Sequence, residues 1–458
     1  MADMSDLEML QETADRVNLV AVIDSSGRGG NLFFLTLFDL HTEVACCPIV
    51  QYSYSYMLAE LGEQDEMNSD AAHAFITQKS YFRLLYNEPA GDNALLFTRM
   101  GGNPAAALDR TRLRALIDGY FSGPRLVTRK QIVAVPLVAY ALVRGVDPGR
   151  LQYVMIGDAI SRREESVIEG FSGVIIDRII EDFPKAKIFR LVRDPRATFA
   201  SPRHQFVNSL GNMYALRPGN YFSRLATLSS AELTPENGCV YLYWLLYLNQ
   251  AEVTICRKEA QYPERFMIVK NEDLNLCFPD TMMSIAAWLE VQQLDTWRTS
   301  DFVPTVIGVP WEGAGAYNSR YQRVTTGLLA NDPEEVSRNV TGPNEYVTRR
   351  WRTRLNKREI ELIEFLFFSD LKKYRYEILY HNPCRSPEEV LQRTLGGPFE
   401  GEWPRFTWLM AGFCESLAEG WRRLFYTLTF LPFYALSRIK LRELVIKRRL
   451  FRTSPESN

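Results

Sequence analysis

The sequence has few of the residues that build metal centres: only four of its 458 residues are histidine. Its seven cysteines are odd in number and show neither C-x-x-C spacing nor the spacing of a zinc site. Such a pattern predicts free thiols in a reducing compartment rather than a disulfide framework. We therefore expect no bound metal.

A spanning helix and an export signal are lacking as well. The uncharged run at 424–437 has 14 residues and contains Pro432, whereas a membrane-spanning helix needs about 20. The first ten residues, M-A-D-M-S-D-L-E-M-L, have neither the basic start nor the apolar core of a signal peptide. The sequence thus predicts a cytoplasmic protein.

Excess charge of one sign is absent too. Lysine and arginine number 53 against 55 aspartate and glutamate, a formal net charge of −2. No bulk electrostatic attraction to a nucleic acid follows from such a balance, so no nucleic-acid partner is expected. With 46% hydrophobic and 24% charged residues, the composition is that of an ordinary globular protein.

What is present is a strand-like run followed by a loop of small residues. Leu19–Ile23 is apolar and β-branched, residues 24–31 read D-S-S-G-R-G-G-N, and Leu32–Leu40 has the composition of a helix. Bare N–H groups in such a loop, with the dipole of the following helix, favour binding of an anion. Arg28 adds a planar cation that can grip a phosphate or sulfate. The alternative is that this Gly-rich loop is only a tight turn between strand and helix and binds no ligand.

A second stretch points to another anion. Ile188–Val192 is a short apolar strand, and Asp194 with Pro195 is typical of a turn that opens a helix. Arg193 stands at the end of the strand, and Ser201 lies eight residues later. On a helix beginning at Pro195, Ser201 can face back toward Arg193, so the pair is a plausible clamp for a phosphate.

These stretches resemble the sulfotransferases that use 3′-phosphoadenosine 5′-phosphosulfate (PAPS). The resemblance covers about residues 17 to 380, and its R-D-P-R…S block is the most specific part. The matching segments are R-G-G-N-L (Arg28–Leu32), F-D-L-H-T-E-V (Phe38–Val44), F-P-K-A-K-I-F-R-L-V-R-D-P-R-A-T-F-A-S (Phe183–Ser201), I-V-K-N-E-D-L (Ile268–Leu274) and, more weakly, Trp311–Gly313.

The resemblance implies roles for the matching positions. The loop residues would hold the 5′-phosphosulfate, Arg193 and Ser201 the 3′-phosphate, and Arg28 would also act on the transferred group. The residues so implied in binding PAPS are Gly27, Arg28, Gly29, Gly30, Asn31, Leu32, Arg193, Ser201, Trp311 and Gly313. The activity implied is transfer of a sulfuryl group to a hydroxyl or amine acceptor, such as a lipid-linked molecule, a glycan or a small molecule.

The departures from the family concern mainly the chemistry. Asn31 and Leu32 replace two threonines, Ala159 stands where many relatives have a catalytic lysine, and 48–50 occupy the region of a glutamate base. Asp158 is our candidate for the general base, although it can equally orient Arg162 or Arg163. The alternative function is a catalytically impaired, nucleotide-binding subunit of a membrane-associated assembly. A kinase is disfavoured because the loop lacks the Walker G-K-[ST].

Alternating strands and helices predict an α/β fold, a central parallel sheet flanked by helices. The resemblance specifies a P-loop NTPase-like sulfotransferase fold. We expect a sulfotransferase-like domain over 1–395, with a helical insertion at about 62–150, and an appended helical segment over 396–458.

The appended segment is basic. Residues 403–458 hold ten lysines and arginines against four aspartates and glutamates, and seven of the ten lie in Arg438–Arg452 beside one glutamate. Apolar aromatic surface next to a basic stripe favours a helix lying in a membrane interface. We therefore expect peripheral membrane contact through 403–452, on the inner face of a membrane. A helical hairpin packed on the domain, or on an oligomer partner, is the alternative.

Overall fold

The computed structural model divides the chain into two compact units, Met1–Val192 with Ala251–Gly315 and Asn339–Glu345, and Arg193–Gln250 with Ala316–Arg338 and Tyr346–Asn458. The residues that the structure describes are 4–23, 29–51, 53–62, 64–103, 106–158, 171–200, 250–299, 301–311, 342–382, 384–395, 406–425, 427–428, 435 and 439. The domain boundary predicted near residue 396 stays a prediction.

The first unit is built on a five-stranded sheet. Its strands are β1 (Asn18–Ile23), β2 (Val44–Gln51), β5 (Tyr153–Asp158), β6 (Lys187–Val192) and β7 (Phe266–Lys270). Two further two-stranded antiparallel sheets are formed by β3 (Glu66–Asn68) with β4 (Leu126–Thr128) and by β8 (Thr305–Val306) with β9 (Val309–Pro310). The order is β2-β5-β1-β6-β7, and every pairing in it is parallel. The predicted α/β architecture is confirmed.

Helices cover the sheet. Those of the first unit are α1 (Met4–Arg16), α2 (Asn31–Thr36), α3 (Ser53–Leu61), α4 (Ser69–Ala74), α5 (Arg83–Tyr86), α6 (Gly91–Arg99), α7 (Arg110–Tyr120), α8 (Arg129–Val143), α9 (Phe171–Asp182), α10 (Gln250–Gln261), α11 (Asn271–Leu276) and α12 (Phe278–Leu289). Strands β1 and β6 are buried over all but their first residue, as expected of parallel strands covered on both faces.

The apolar helix α8 is the main packing partner on one face. It begins with a capping box between Thr128 and Gln131 and buries twelve of its fifteen residues. It contacts β2 and β5 on one side and α1 and α7 on the other. A helix that is apolar nearly all round must be covered on several sides, and these contacts supply the cover.

Three elements differ from expectation. No strand was predicted at Val44–Gln51, where β2 lies. Its Pro48 has no N–H to donate, but the strand lies at the sheet edge, where a missing N–H is tolerated. Its register shifts between Cys46 and Gln51. The antiparallel pair of β3 and β4 lies inside the stretch expected to be helical, and its three-residue strands are too short to show alternation. Helix α2 ends at Thr36, and turns replace its predicted continuation to Leu40.

The helices that follow the first unit are α13 (Glu345–Arg349), α14 (Trp351–Arg354), α15 (Lys357–Leu366), α16 (Phe368–Lys373), α17 (Pro387–Leu395) and α18 (Phe406–Glu415). Residues 195–200 and 417–425 are helical too. In this second unit the buried Arg196 binds Asp194 and Glu364 and lies over the ring of Trp351. Glu364 also accepts backbone N–H groups, including that of Leu379. These buried charges are fully paired.

The β8–β9 hairpin depends on one buried carboxylate of the first unit. Its two turn residues, Ile307 and Gly308, both have positive φ, 55° and 73°, a conformation unfavourable for a β-branched side chain. Asp39 accepts their N–H groups at 3.0 and 2.7 Å and the hydroxyl of Thr305 at 2.8 Å. The carboxylate therefore stabilises a strained turn.

We expect Asp39→Ala to lower the free energy of unfolding by about 3 kcal/mol, since it leaves buried donors unpaired beside a strained turn. Urea unfolding followed by circular dichroism measures this loss. The matched control is Asp295→Ala, which removes an almost fully exposed carboxylate and should cost less than about 1 kcal/mol. Equal losses in the two variants would contradict the role of Asp39.

Candidate functional site

The predicted order of strand, loop and helix is present at the end of β1. The described part of the loop, Gly29 and Gly30, leads into α2. Gly30 has φ 105°, and a Cβ there would collide with the amide of Asn271, so only glycine fits. Gly27 and Arg28 lie outside the described residues.

Asn31, the first residue of α2, is the most informative side chain of this loop. It is 7% exposed, and neither its amide oxygen nor its amide nitrogen has a hydrogen-bond partner. A buried polar group without a partner costs about 1–3 kcal/mol and is uncommon enough to require an explanation. One explanation is a bound anion that accepts a hydrogen bond from the amide nitrogen. The Leu32 side chain packs against the core, so it offers a ligand only its backbone N–H.

Asn31 lies beside the end of β5. A Cβ on Gly157 would come 2.7 Å from the Asn31 amide oxygen, so glycine leaves room for the amide. The next residue, Asp158, pairs in register with Ile23, the last residue of β1. The sheet therefore brings two of the predicted site residues, Asn31 and Asp158, to the carboxyl ends of neighbouring strands.

Asp158 is fully buried, and only one of its two carboxylate oxygens is hydrogen-bonded. Its Oδ2 accepts the backbone N–H of Ser55 at 2.9 Å, whereas its Oδ1 has no partner. Burial raises the pKa of Asp158 from its ordinary 3.8 to about 6, and hydrogen bonds from Ser55 and Tyr54 oppose the rise. A carboxylate with one anchored oxygen, one free oxygen and a pKa near 6 has the properties of a general base.

Sequence reasoning missed the contribution of α3. The Tyr- and Ser-rich residues that open this helix place the Ser55 N–H on Asp158 and leave the buried Ser53 hydroxyl without a partner. Tyr54 points the other way, into the core, where its hydroxyl donates to Asp182. Alternating tyrosine and serine after an apolar run was the only signal of this arrangement.

The second unit contains the start of the R-D-P-R block. Asp194 accepts the backbone N–H of Arg196 at 2.8 Å and binds its guanidinium, and residues 195–200 are helical, as predicted from Pro195. Asp194 and Arg196 therefore fix the helix start. Arg193 has a long contact, 3.5 Å, from Nη2 to the carbonyl of Val347. Ser201 lies outside the described residues.

Trp311 is nearly buried in the first unit. Its ring stacks on Phe33 of α2 with centroids 6.1 Å apart, and its indole N–H has no partner. Trp311 therefore lies beside α2, and its role in PAPS binding stays a prediction. Gly313 and Ala159 are not among the residues that the structure describes.

Neither a metal site nor a membrane span was found in the part of the chain that the structure describes. No group of three or more His, Cys, Asp or Glu in these residues is placed to hold a metal ion. Likewise, none of the helices searched is long and apolar enough to cross a bilayer.

Comparisons with known proteins gave matches only among solved structures. No protein-family model and no curated protein matches the chain. The sulfotransferase domain from the curacin biosynthetic pathway matches 80% of this chain and 100% of its own with a TM-score of 0.42 and 13% identity. The sulfotransferase domain from the Synechococcus PCC 7002 olefin synthase matches 80% and 97% with a TM-score of 0.41 and 15% identity. Identities this low assign no substrate.

The raised pKa of Asp158 predicts a specific pH dependence of stability. The folded chain binds this proton more tightly than the unfolded chain, so the free energy of unfolding falls as pH rises from about 4 to about 6. The Asp158→Asn variant lacks this dependence. Relative to it, we expect the parent to lose about 3 kcal/mol between pH of about 4 and about 7, measured by urea unfolding across that range.

The control for this measurement is Asp295→Asn, at an exposed carboxylate. Its stability difference from the parent should stay within about 0.5 kcal/mol at every pH, as for other surface substitutions. A flat difference for Asp158→Asn as well would show that its pKa is not raised.

Proposed function

We propose that this chain is a sulfotransferase that transfers a sulfuryl group from PAPS to a hydroxyl or amine acceptor. The observation that carries the proposal is where the two motif segments fall in the chain. The Gly-rich loop follows β1, the R-D-P-R segment follows β6, and these strands pair in parallel as neighbours. In open parallel sheets, ligands bind beyond the carboxyl ends of the strands.

The residues present suit an anionic donor. The unpartnered amide of Asn31 and the room that Gly30 and Gly157 provide support binding of the 5′-phosphosulfate near α2. Arg28 is assigned to the transferred group. Arg193 and Ser201 are assigned to the 3′-phosphate, because the matching positions of the resembled family hold it.

The proposed chemistry needs a base and a stabiliser of negative charge. The acceptor oxygen or nitrogen bonds to sulfur, the bond from sulfur to the 5′-phosphate oxygen breaks in line, and the acceptor proton goes to Oδ1 of Asp158. With a pKa of about 6, Asp158 is mostly ionised at neutral pH and ready to accept a proton. Arg28 and the loop N–H groups stabilise the charge on the leaving phosphate.

The alternative, a nucleotide-binding subunit without turnover, has its own support. Pro48, Ile49 and Val50, at the place of the relatives' glutamate, are buried in β2, so no carboxylate replaces it there. Asp158 then stays the candidate for the base if the chain turns over. Incubation with ³⁵S-labelled PAPS and a panel of hydroxyl and amine acceptors separates the two functions. Labelled product supports the enzyme, and tight binding of 3′,5′-diphosphoadenosine without product supports the subunit.

We expect Arg193→Ala to weaken binding of 3′,5′-diphosphoadenosine by about 10- to 100-fold, because a guanidinium–phosphate bond contributes about 1.5–3 kcal/mol. Binding of adenosine 5′-monophosphate, which lacks the 3′-phosphate, should change less than about 3-fold. Isothermal titration calorimetry measures both ligands. Equal losses for the two would show that Arg193 does not contact the 3′-phosphate.

A second variant tests the transferred group. Arg28→Ala should lower kcat by about 100-fold or more, as does loss of one preorganised charge-stabilising group. Binding of 3′,5′-diphosphoadenosine should weaken by less than kcat falls, since this product keeps the 5′-phosphate beside the loop but lacks the sulfuryl group. Arg28→Lys, which keeps the charge but not the planar fork, should recover part of kcat. Turnover at the parent rate in Arg28→Ala would remove Arg28 from the mechanism.

A further inference from the structure

Near its end the chain forms a helical hairpin. Helix α18 is joined at Ser416 to the helix at 417–425, and the Ser416 hydroxyl accepts the N–H of Glu419 at 3.1 Å. The two helices approach closely, because a Cβ on Gly420 would collide with the ring of Phe413. Arg423 binds Glu415 and Glu419.

An ion pair contributes to holding this hairpin together. The Arg423 side chain is only 12% exposed, although it carries a full charge. Its two carboxylate partners come one from each helix and lower the cost of withdrawing it from water. Phe413, Gly420 and the Arg423–Glu415 ion pair thus lie on the side on which the two helices meet.

Large apolar side chains point to solvent instead. Leu417 and Trp421, one turn apart, are 73% and 63% exposed, and Phe406 and Met410 on α18 are exposed at the same spacing. With Leu428 they form a set that we call the hairpin apolar residues: Phe406, Met410, Leu417, Trp421 and Leu428. A surface helix of a globular protein normally turns such a stripe inward. The exposed stripe requires an apolar partner.

We propose that the hairpin apolar residues insert into the interface of an anionic membrane. The charge of the adjoining sequence selects this partner, since 438–452 carry seven lysines and arginines and one glutamate. Residues 403–458 have a formal charge of +6 (ten minus four). Since the whole chain has a net charge of −2, residues 1–402 have a formal charge of −8. Positive charge is thus concentrated in the sequence that follows the exposed apolar stripe, a combination that favours binding to anionic lipid.

None of the described helices is long and apolar enough to span a bilayer, and the attachment proposed is interfacial. Trp421 suits this position because tryptophan combines an apolar ring with one N–H donor and prefers the headgroup level. Its ring also meets Phe413 edge-on at 6.1 Å, which orients it. The apolar side chains are exposed in the folded chain, so replacing them should not remove core packing.

The test is co-sedimentation of the full chain with vesicles of phosphatidylcholine and phosphatidylserine, and with phosphatidylcholine alone. The parent should sediment with the anionic vesicles and much less with neutral ones or at high salt, because screening weakens the charge attraction. The variant Leu417→Ser/Trp421→Ser/Leu428→Ser should lower partitioning by about 10-fold or more. Replacing Lys447, Arg448 and Arg449 with glutamine should lower it on anionic vesicles only.

The matched control is Leu126→Ser/Met283→Ser/Val303→Ser, which removes three exposed apolar side chains of the first unit and should leave partitioning unchanged. Circular dichroism should match the parent for all variants. The proposal is overturned if the parent does not sediment with anionic vesicles, or if the two serine variants bind equally. Concentration-dependent self-association in place of vesicle binding, lost in the hairpin variant, would overturn it too and identify a second copy of the chain as the partner.

Discussion

The candidate site depends on the parallel pairing of β1 with β5 on one side and β6 on the other. This register sets Asp158 level with Ile23, directly where the Gly-rich loop begins. Both faces of these strands are buried, so a one-residue slip would exchange the side chains facing the two cores. This register sets the positions of the polar residues that follow the strands. The apolar packing on both faces of the sheet keeps the strands in this register.

Buried polar groups in the described residues differ in how completely they are hydrogen-bonded. Arg196 finds both Asp194 and Glu364, so its charge is paired and hydrogen-bonded in several directions. In the first unit Asn31 has no partner and Asp158 has a partner on one oxygen only. Burial without full pairing lowers stability, and such a cost is usually retained where a ligand or a reaction uses the group.

The residues of the R-D-P-R motif have two kinds of role. Asp194 and Arg196 bind each other and start the helix at 195–200, so their pattern in the sequence has a structural cause. Only the remaining residues of the motif can be assigned to a ligand without loss of this packing. A motif matched as one string thus contains residues with two kinds of role, and substitutions within it should separate folding from binding.

The hairpin near the chain end inverts the usual arrangement of a surface helix. The charged Arg423 lies beside Phe413 and Gly420 where the helices meet, whereas large apolar side chains such as Leu417 and Trp421 are mostly exposed. Hydropathy alone does not distinguish this from a hairpin buried against a domain, because the composition of the two is the same. The difference lies in which side of each helix is covered.

The sequence alone determined the elements whose local pattern is unambiguous. Apolar β-branched runs ending in polar turns identified β1 and β6, and Pro195 marked a helix start. The motif residues of the loop and of R-D-P-R were visible for the same reason, since their chemistry is local. These features need only the period of the side chains and the preferences of turn residues.

Tertiary structure decided what depends on distant partners. Strand β2 exists despite Pro48 because the edge of the sheet tolerates a missing donor. Asn31 is left unpartnered because Gly157, more than a hundred residues away in sequence, makes room for its amide, and Asp158 is buried and anchored because α3 brings the Ser55 N–H to it. Burial and hydrogen bonding between segments far apart in the chain arise only when the sheet assembles, so no local pattern contains them.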